Sequence, residues 1–179
     1  MGKVILHVIM SLDGFMADKH DSVDWSFQYG APSNLVDEVK DSAGAIVLGK
    51  RTYDGSIANG HPPYGGSLKV PLFVVTSKAH DSVQYKDLTF SFVTEGVEQA
   101  VTQAKAAAGD KNVILLGGSI YQQCLKAGLI DEIVIHLVPL LLSEGVEVFK
   151  HLGESPIKLK RIDAKIAEQM TDMRFKVVK

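Results

Sequence analysis

Short apolar runs bounded by turn residues set the rhythm of this chain. Val4–Met10, Ala45–Leu48, Val70–Val75, Val113–Leu116 and Ile133–Val138 are rich in β-branched residues and do not alternate, the pattern of strands covered on both faces. Leu88–Phe92 and Met173–Val177 alternate apolar and polar positions, as half-exposed or edge strands do. Ile157–Lys160 alternates too and is expected to pair antiparallel with Met173–Val177. Between the strands the period changes. Val97, Ala100, Val101, Ala104, Ala107 and Ala108 recur at helical spacing, with Gly109 as the stop. Asn34–Ser42 place Leu35, Val36 and Val39 on one face behind a Ser33 or Asn34 cap, and Ser119 is expected to cap a helix through Lys126 that ends at Gly128. Strands and helices alternate early, and strands follow one another late. The order predicts an α/β domain with a mixed, mostly parallel sheet, an antiparallel C-terminal edge and helices on both faces. No repeat or linker interrupts residues 1–179, which read as a single domain. Asn59–Ser67, with its glycines and prolines, reads as a loop that could close over a ligand.

Composition changes this picture little. The chain has 179 residues, 46% hydrophobic and 22% charged, and a net charge of −2, so no electrostatic footprint calls for a nucleic-acid partner. The single cysteine, Cys124, excludes an intrachain disulfide and suits a reducing compartment, so a cytoplasmic protein is expected. No apolar run approaches the roughly 20 residues that span a bilayer, and the N-terminal apolar stretch reads as a first strand rather than a signal peptide.

Three strand ends share one form. Ala45–Leu48 is followed by Gly49-Lys50-Arg51-Thr52-Tyr53, Val75 by Thr76-Ser77-Lys78, and Leu116 by Gly117-Gly118-Ser119-Ile120-Tyr121. Ligands of open α/β sheets bind beyond the carboxyl ends of the strands, where helix N-termini present free N–H groups. Glycines permitting close approach, hydroxyls and the cations Lys50, Arg51 and Lys78 make these turns suited to phosphates. Two cationic clusters at separate turns fit a dinucleotide carrying an extra 2′-phosphate. After the first strand comes Ser11-Leu12-Asp13-Gly14-Phe15-Met16-Ala17. Asp13-Gly14 is a common turn pair, yet a carboxylate there can also bind a substrate donor or assist a proton transfer. Trp25 can pack in the core or stack on a planar ring. The six histidines show no paired spacing for a metal, His136 reads as a satisfied core residue, and Cys124 as buried rather than nucleophilic. No G-x-G-x-x-G, P-loop or G-x-S-x-G motif is present.

Taken in order, Ser11–Ala17, Leu48–Tyr53, Val74–Ser77, Leu116–Tyr121, Gly128–Ile133 and Pro139–Leu142 resemble the dihydrofolate-reductase-like superfamily. The resemblance is strongest to the C-terminal reductase domain of the bifunctional riboflavin-biosynthesis deaminase-reductase. It implies a three-layer fold and use of NADPH. By the same resemblance Gly49, Lys50, Arg51 and Thr52 open a helix at the cofactor phosphates. Thr76 and Ser77, with Lys78 beside them, meet the adenosine ribose and its 2′-phosphate. Gly117 and Gly118, in a turn that often holds a cis peptide, and then Ser119, Ile120 and Tyr121, meet the pyrophosphate and nicotinamide end. Met10, Phe15 and Ala17 flank the nicotinamide, and Asp13 lies on the substrate side; Trp25 remains a substrate-stacking candidate on its residue type alone. Relatives commonly dimerise, so a homodimer is expected.

Two departures shape the functional expectation. Folate reductases carry an acid near the start of the first helix, where this chain has Ser33 and Asn34, with Asp37 and Glu38 a turn too late. The turn after Pro139–Leu142 is Ser143-Glu144-Gly145 rather than glycine-rich, and Glu144 there would disfavour a phosphorylated sugar if it faces the site. The zinc pattern of the deaminase domain is missing. The leading expectation is an NADPH-dependent reductase of a small substrate, by resemblance 5-amino-6-(5-phosphoribosylamino)uracil. The alternatives are a pterin or folate reductase drawing its acid from elsewhere, and a non-catalytic NADP-binding protein.

Overall fold

The computed structural model of the chain describes residues 2–58 and 60–179. In order it contains β1 (Val4–Ser11), β2 (Phe15–Ala17), α1 (Leu35–Ser42), β3 (Ala43–Gly49), α2 (Lys50–Ala58), β4 (Leu72–Val75), β5 (Val83–Tyr85), β6 (Leu88–Val93), α3 (Val97–Ala108), β7 (Asn112–Leu116), α4 (Gly118–Lys126), β8 (Glu132–Val138), β9 (Val146–Glu147), β10 (Leu159–Ala167) and β11 (Met170–Val177). Nine strands form one sheet in the order β10-β11-β8-β1-β7-β3-β4-β6-β5, and β2 and β9 form a separate ribbon. The six strands from β8 to β6 run parallel. β11 and β10 extend one side antiparallel, and β5 closes the other.

The non-alternating runs are the central strands because both of their faces are covered. On β1, Val4, Leu6 and Val8 join one core with Ala100, Ala104, Ile120 and Cys124 of α3 and α4. Ile5, facing the other way, joins Leu35 and Val39 of α1 and Tyr53 of α2. Full burial of each such aliphatic side chain contributes about 1.5–3 kcal/mol. The layers and the mostly parallel sheet are therefore those expected, and no helix among the described residues is long and apolar enough to cross a membrane.

Several local expectations are corrected. Ser119 does not cap α4; the helix begins one residue earlier, behind Gly117, and the Ser119 hydroxyl accepts a hydrogen bond from Gln123 instead. Ser33 does act at the start of α1, its hydroxyl accepting the Leu35 N–H at 3.2 Å. The partner of β11 is not confined to Ile157–Lys160 but runs from Leu159 to Ala167, past a bulge between Arg161 and Asp163. β10 alternates over Ile162–Ile166, but with its apolar residues on the exposed face of the edge and Asp163 and Lys165 on the half-buried one. Of the two readings of Leu88–Phe92 the half-exposed one holds, its burial alternating while β5 pairs outside it. The loop read over Asn59–Ser67 begins at Asn59, outside the described residues, and contains a short helical turn at Pro63–Gly66.

Candidate active site

β7, β3 and β4 are adjacent and parallel, with Leu48 opposite Leu116 and Gly49 opposite Val75. The turns at Gly49, Thr76 and Gly117 therefore emerge side by side on one rim of the sheet. α2 leaves this rim on one face and α4 on the other, so the unpaired N–H groups of two helix starts flank it. The approach is closest at Gly117. Its φ is 103°, and a Cβ there would lie 2.6 Å from Thr52 Oγ1 and 3.9 Å from the Gly49 nitrogen. Only glycine fits a backbone so turned and so crowded. The expected cis peptide is absent here: the described bonds, Gly117–Gly118 included, are trans. Thr76 Oγ1 accepts the Lys78 N–H at 3.3 Å, and Ser77 and Lys78 are exposed.

Beside this rim the sheet divides. β1 pairs with β7 only over Val4–Leu6, but with β8 from Ile5 to Ser11. Beyond Leu6 and Leu115 a fork opens, and the Tyr121 hydroxyl donates 2.8 Å to the His7 carbonyl at its foot. Met10 stands on β1 above the fork. Phe15 and Ala17 lie in the β2–β9 ribbon, opposite Glu147 and Val146. The ribbon closes over the start of α4, where a Cβ on Gly118 would meet Val146 and Met16 at 3.0 and 3.4 Å.

Some expected contacts are already taken up by the protein. Asp13 accepts hydrogen bonds from the Ser11 hydroxyl (2.6 Å) and from the N–H groups of Leu142 (3.1 Å) and Ser143 (2.8 Å). The Ser11 bond first, then the two backbone bonds, hold its carboxyl below the usual range. Asp13 thus braces the loop after β1 against the loop after β8, and an ionised, occupied carboxylate is a poor proton donor. Tyr121 and Ile120 are buried side chains of the core under α4, so neither can offer its side chain to a ligand. Lys50 pairs with Asp54 at 2.5 Å and Arg51 with Asp21 at 2.6 Å, both exposed. Glu144 pairs with Lys19. Trp25 is half-buried and donates its indole N–H to the Ser22 carbonyl at 3.1 Å. Its segment runs from Asp21, held by Arg51, to Ser33, held by Asp172 at 2.6 Å, and so spans from α2 to β11.

The histidines are the main omission of the sequence reading. His7 and His136, 129 residues apart, meet through their Nε2 atoms at 2.7 Å. His7 Nδ1 lies 2.6 Å from the Tyr64 hydroxyl, and His136 Nδ1 lies 2.7 Å from Asp172 Oδ1. Burial first, and then the neighbouring His136, push His7 down to about 3. Burial works against ionisation of Asp172, but hydrogen bonds from Ser33 and His136 outweigh it and hold the carboxyl below its usual range. The one signal in the sequence was a histidine inside each of two apolar strands. No cluster of three or more metal-ligating groups occurs among the described residues. A hollow of about 620 Å³ between Leu125 and Lys179 lies at the opposite, amino edge and touches none of these groups.

The family profile described as the RibD C-terminal domain matches residues 2–172. An uncharacterized protein of Bacillus subtilis (strain 168), YwjB, is 27% identical over 161 residues, 88% of this chain and 89% of its own length. A putative riboflavin biosynthesis protein from Shewanella sp. PV-4 superposes with a TM-score of 0.84 at 26% identity, covering 99% of both chains. A pyrimidine reductase-like protein from Corynebacterium diphtheriae shares the fold, with a TM-score of 0.69 at 14% identity over 99% of this chain and 92% of that one. With its glycine turns gathered on one rim, the chain belongs to the RibD C-terminal domain family of riboflavin-biosynthesis reductase domains and has their dihydrofolate-reductase-like fold.

Proposed function

We propose that this chain is an NADPH-dependent reductase, a single domain over residues 1–179, acting on a C=N or C=O carbon of a small heterocyclic or sugar-linked substrate. The observation that carries the reading is the adjacency of the Gly49, Thr76 and Gly117 turns on three neighbouring parallel strands. The crowding of Gly117 against Thr52 supports a cradle for a pyrophosphate, with the N–H groups of Lys50, Arg51, Gly118 and Ser119 at the two helix starts. Thr76, Ser77 and Lys78 serve the ribose and its 2′-phosphate. The exposed pairs of Lys50 and Arg51 are worth only about 0–1 kcal/mol, so a phosphate can replace Asp54 and Asp21. Met10, Phe15 and Ala17 wall the nicotinamide end. When bound, NADPH supplies the hydride; Asp13 holds the loop in place, and the segment bearing Trp25 covers the substrate. A cytoplasmic homodimer fits the lone buried thiol of Cys124 and the exposed Leu159, Ile162 and Ile166 of edge strand β10.

The default substrate is 5-amino-6-(5-phosphoribosylamino)uracil, the compound named for a solved reductase that shares this fold. Stopped-flow oxidation of NADPH with that compound tests the assignment, and binding without turnover at any concentration would remove it as the substrate. Substituting Lys78→Ala should weaken NADPH about tenfold more than NADH, a difference of ~1.4 kcal/mol. Equal losses would remove the 2′-phosphate assignment. A pterin or folate reductase is the second reading. Methotrexate-sensitive oxidation of NADPH with dihydrofolate would select it.

A further inference from the structure

We infer that Tyr64, His7, His136 and Asp172 form the proton-delivery path of this site, with the Tyr64 hydroxyl as the group that meets the substrate at the foot of the fork. The inference rests on the reductase reading above. Continuing the β1–β7 register past Leu6 and Leu115 sets His7 level with Leu116, one residue below Gly117. The array therefore lies at the height of the glycine turns, on the face covered by α1 and α2. Tyr64 and Tyr121 approach the same residue, His7, from the two faces of the sheet, one at the ring and one at the carbonyl. The Tyr64 ring stacks on the His7 ring, 14° from parallel with centroids 5.8 Å apart. Tyr64 is held there with φ 54°, a backbone region that non-glycine residues rarely adopt.

The hydrogen-bond inventory allows the chain two filled states. With Asp172 ionised and both imidazoles neutral, His136 Nδ1–H donates to Asp172, His7 Nε2–H donates to His136 Nε2, and Tyr64 O–H donates to His7 Nδ1. Every donor then points inward. One added proton reverses the upper part. His136 becomes the imidazolium against Asp172 and donates from Nε2 to His7, His7 donates from Nδ1 to Tyr64, and the Tyr64 O–H turns out to a ligand. The geometry places the added proton at the Asp172 end of the array, where Asp172 Oδ1 lies 2.7 Å from His136 Nδ1.

In the reduction, the substrate carbon gains a hydride and the π pair of its C=N or C=O bond moves to the heteroatom. That pair takes the proton of Tyr64 Oη, the Tyr64 oxygen takes the Nδ1 proton of His7, and His7 Nε2 takes the Nε2 proton of His136. The array returns to its inward state, ready for one proton from solvent. Tyr64 is the catalytic residue; His7, His136 and Asp172 act through it. The other ionisable groups facing the array are Tyr121 from α4, the pair of Glu132, four residues from His136 along β8, with Arg174, two residues from Asp172 along β11, and Glu38 of α1, which lies 3.8 Å from Arg174.

Full-length wild type, Tyr64→Phe and Asp172→Asn test the path. Side-chain 15N NMR of the cofactor-free wild type at neutral pH should find His7 as the Nε2–H tautomer and His136 as the Nδ1–H tautomer. In single-turnover oxidation of NADPH by 5-amino-6-(5-phosphoribosylamino)uracil, Tyr64→Phe should slow the reaction about 100-fold and leave NADPH affinity, followed by its fluorescence, unchanged. Asp172→Asn should flatten the pH profile of the same step; if it fails to fold, Tyr64→Phe decides. Turnover by Tyr64→Phe at the wild-type rate, or His7 found as the Nδ1–H tautomer, overturns the path while leaving the reductase reading intact. A wild type that binds NADPH but oxidises it with neither this compound nor dihydrofolate overturns the reductase reading itself, and the catalytic role of the array with it.

Discussion

The two faces of the sheet are built on different principles. Under α3 and α4 the core is a continuous apolar layer of Val4, Leu6, Val47, Val113, Leu115, Ala104 and Ile120. Its ionisable members are silent at neutral pH: burial pushes the Cys124 thiol up to about 12 and moves Tyr121 upward as well. Under α1 and α2 the centre is equally apolar, with Ile46, Leu48 and Ile114. Along β1, β8 and β11, however, that face buries His7, His136, Asp172 and Glu132, with Arg174 reaching in. Apolar packing is non-directional and tolerates exchange of similar shapes. A buried polar array stabilises only if each member finds its partner, and replacing it by hydrocarbon is often neutral or better. Its concentration on one face, at the foot of the fork, fits the proton-delivery role proposed for it above.

The comparison can be broken by substitution on each face. Asp172→Ala should lower stability to urea at pH 7 by about 3–5 kcal/mol, because it strands His136 and the Ser33 N–H in the interior. Leu115→Ala, on the other face, should remove a comparable amount, about 2–5 kcal/mol. The two separate in acid. The folded carboxyl of Asp172 lies below its ordinary 3.8, so its contribution is complete above that pH and is lost as the pH falls through the folded value. The deficit of Asp172→Ala should shrink there, while that of Leu115→Ala persists; parallel deficits would mean that Asp172 acts only by filling space.

His7 gives the next effect. Its folded value is depressed, so the unfolded chain takes up the proton first, and stability falls with pH from 6.5 down to about 3. The slope should approach about 1.4 kcal/mol per pH unit and should vanish in His7→Gln. An unchanged slope in that variant would place the acid sensitivity elsewhere. The smallest effect contrasts two glycines near the rim. Gly117→Ala should cost about 1–3 kcal/mol and abolish NADPH affinity. Gly55→Ala, with nothing within 4 Å in the helix that starts at the rim, should stabilise by about 0.5–1 kcal/mol.

The sequence revealed most where periodicity is forced by burial. β1, β3, β4, β7 and β8 were legible because both of their faces are covered, and Gly109 ended α3 as expected, with φ 61°. The convergence of Gly49, Thr76 and Gly117 was legible because parallel strands deliver their carboxyl ends to one rim. β10 was read only at its start, since its alternation over Ile162–Ile166 turns the apolar residues outward at an edge, and α2 buries too little to show a helical period. The Tyr64–His7–His136–Asp172 array was illegible for another reason. Its members come from four separate segments, and only strand register and the turn at Pro63–Gly66 bring them together. Asp13 was legible as a turn residue, but its hold on Leu142 and Ser143 depends on a loop 130 residues away.

The short pairing of β1 with β7 has a mechanical meaning. Among the described residues, the rungs Val4–Val113, Ile5–Ile114 and Leu6–Leu115 alone stitch the leaf β10-β11-β8-β1 to the leaf β7-β3-β4-β6-β5. Like pages sewn along a short spine, the leaves resist sliding mainly at those rungs, while twist between them is opposed by the Tyr121 stitch and the helices laid across both. Such a joint concentrates bending where the sheet splits, so small changes in side-chain volume near the spine alter the width of the gap far more than equal changes elsewhere in the sheet.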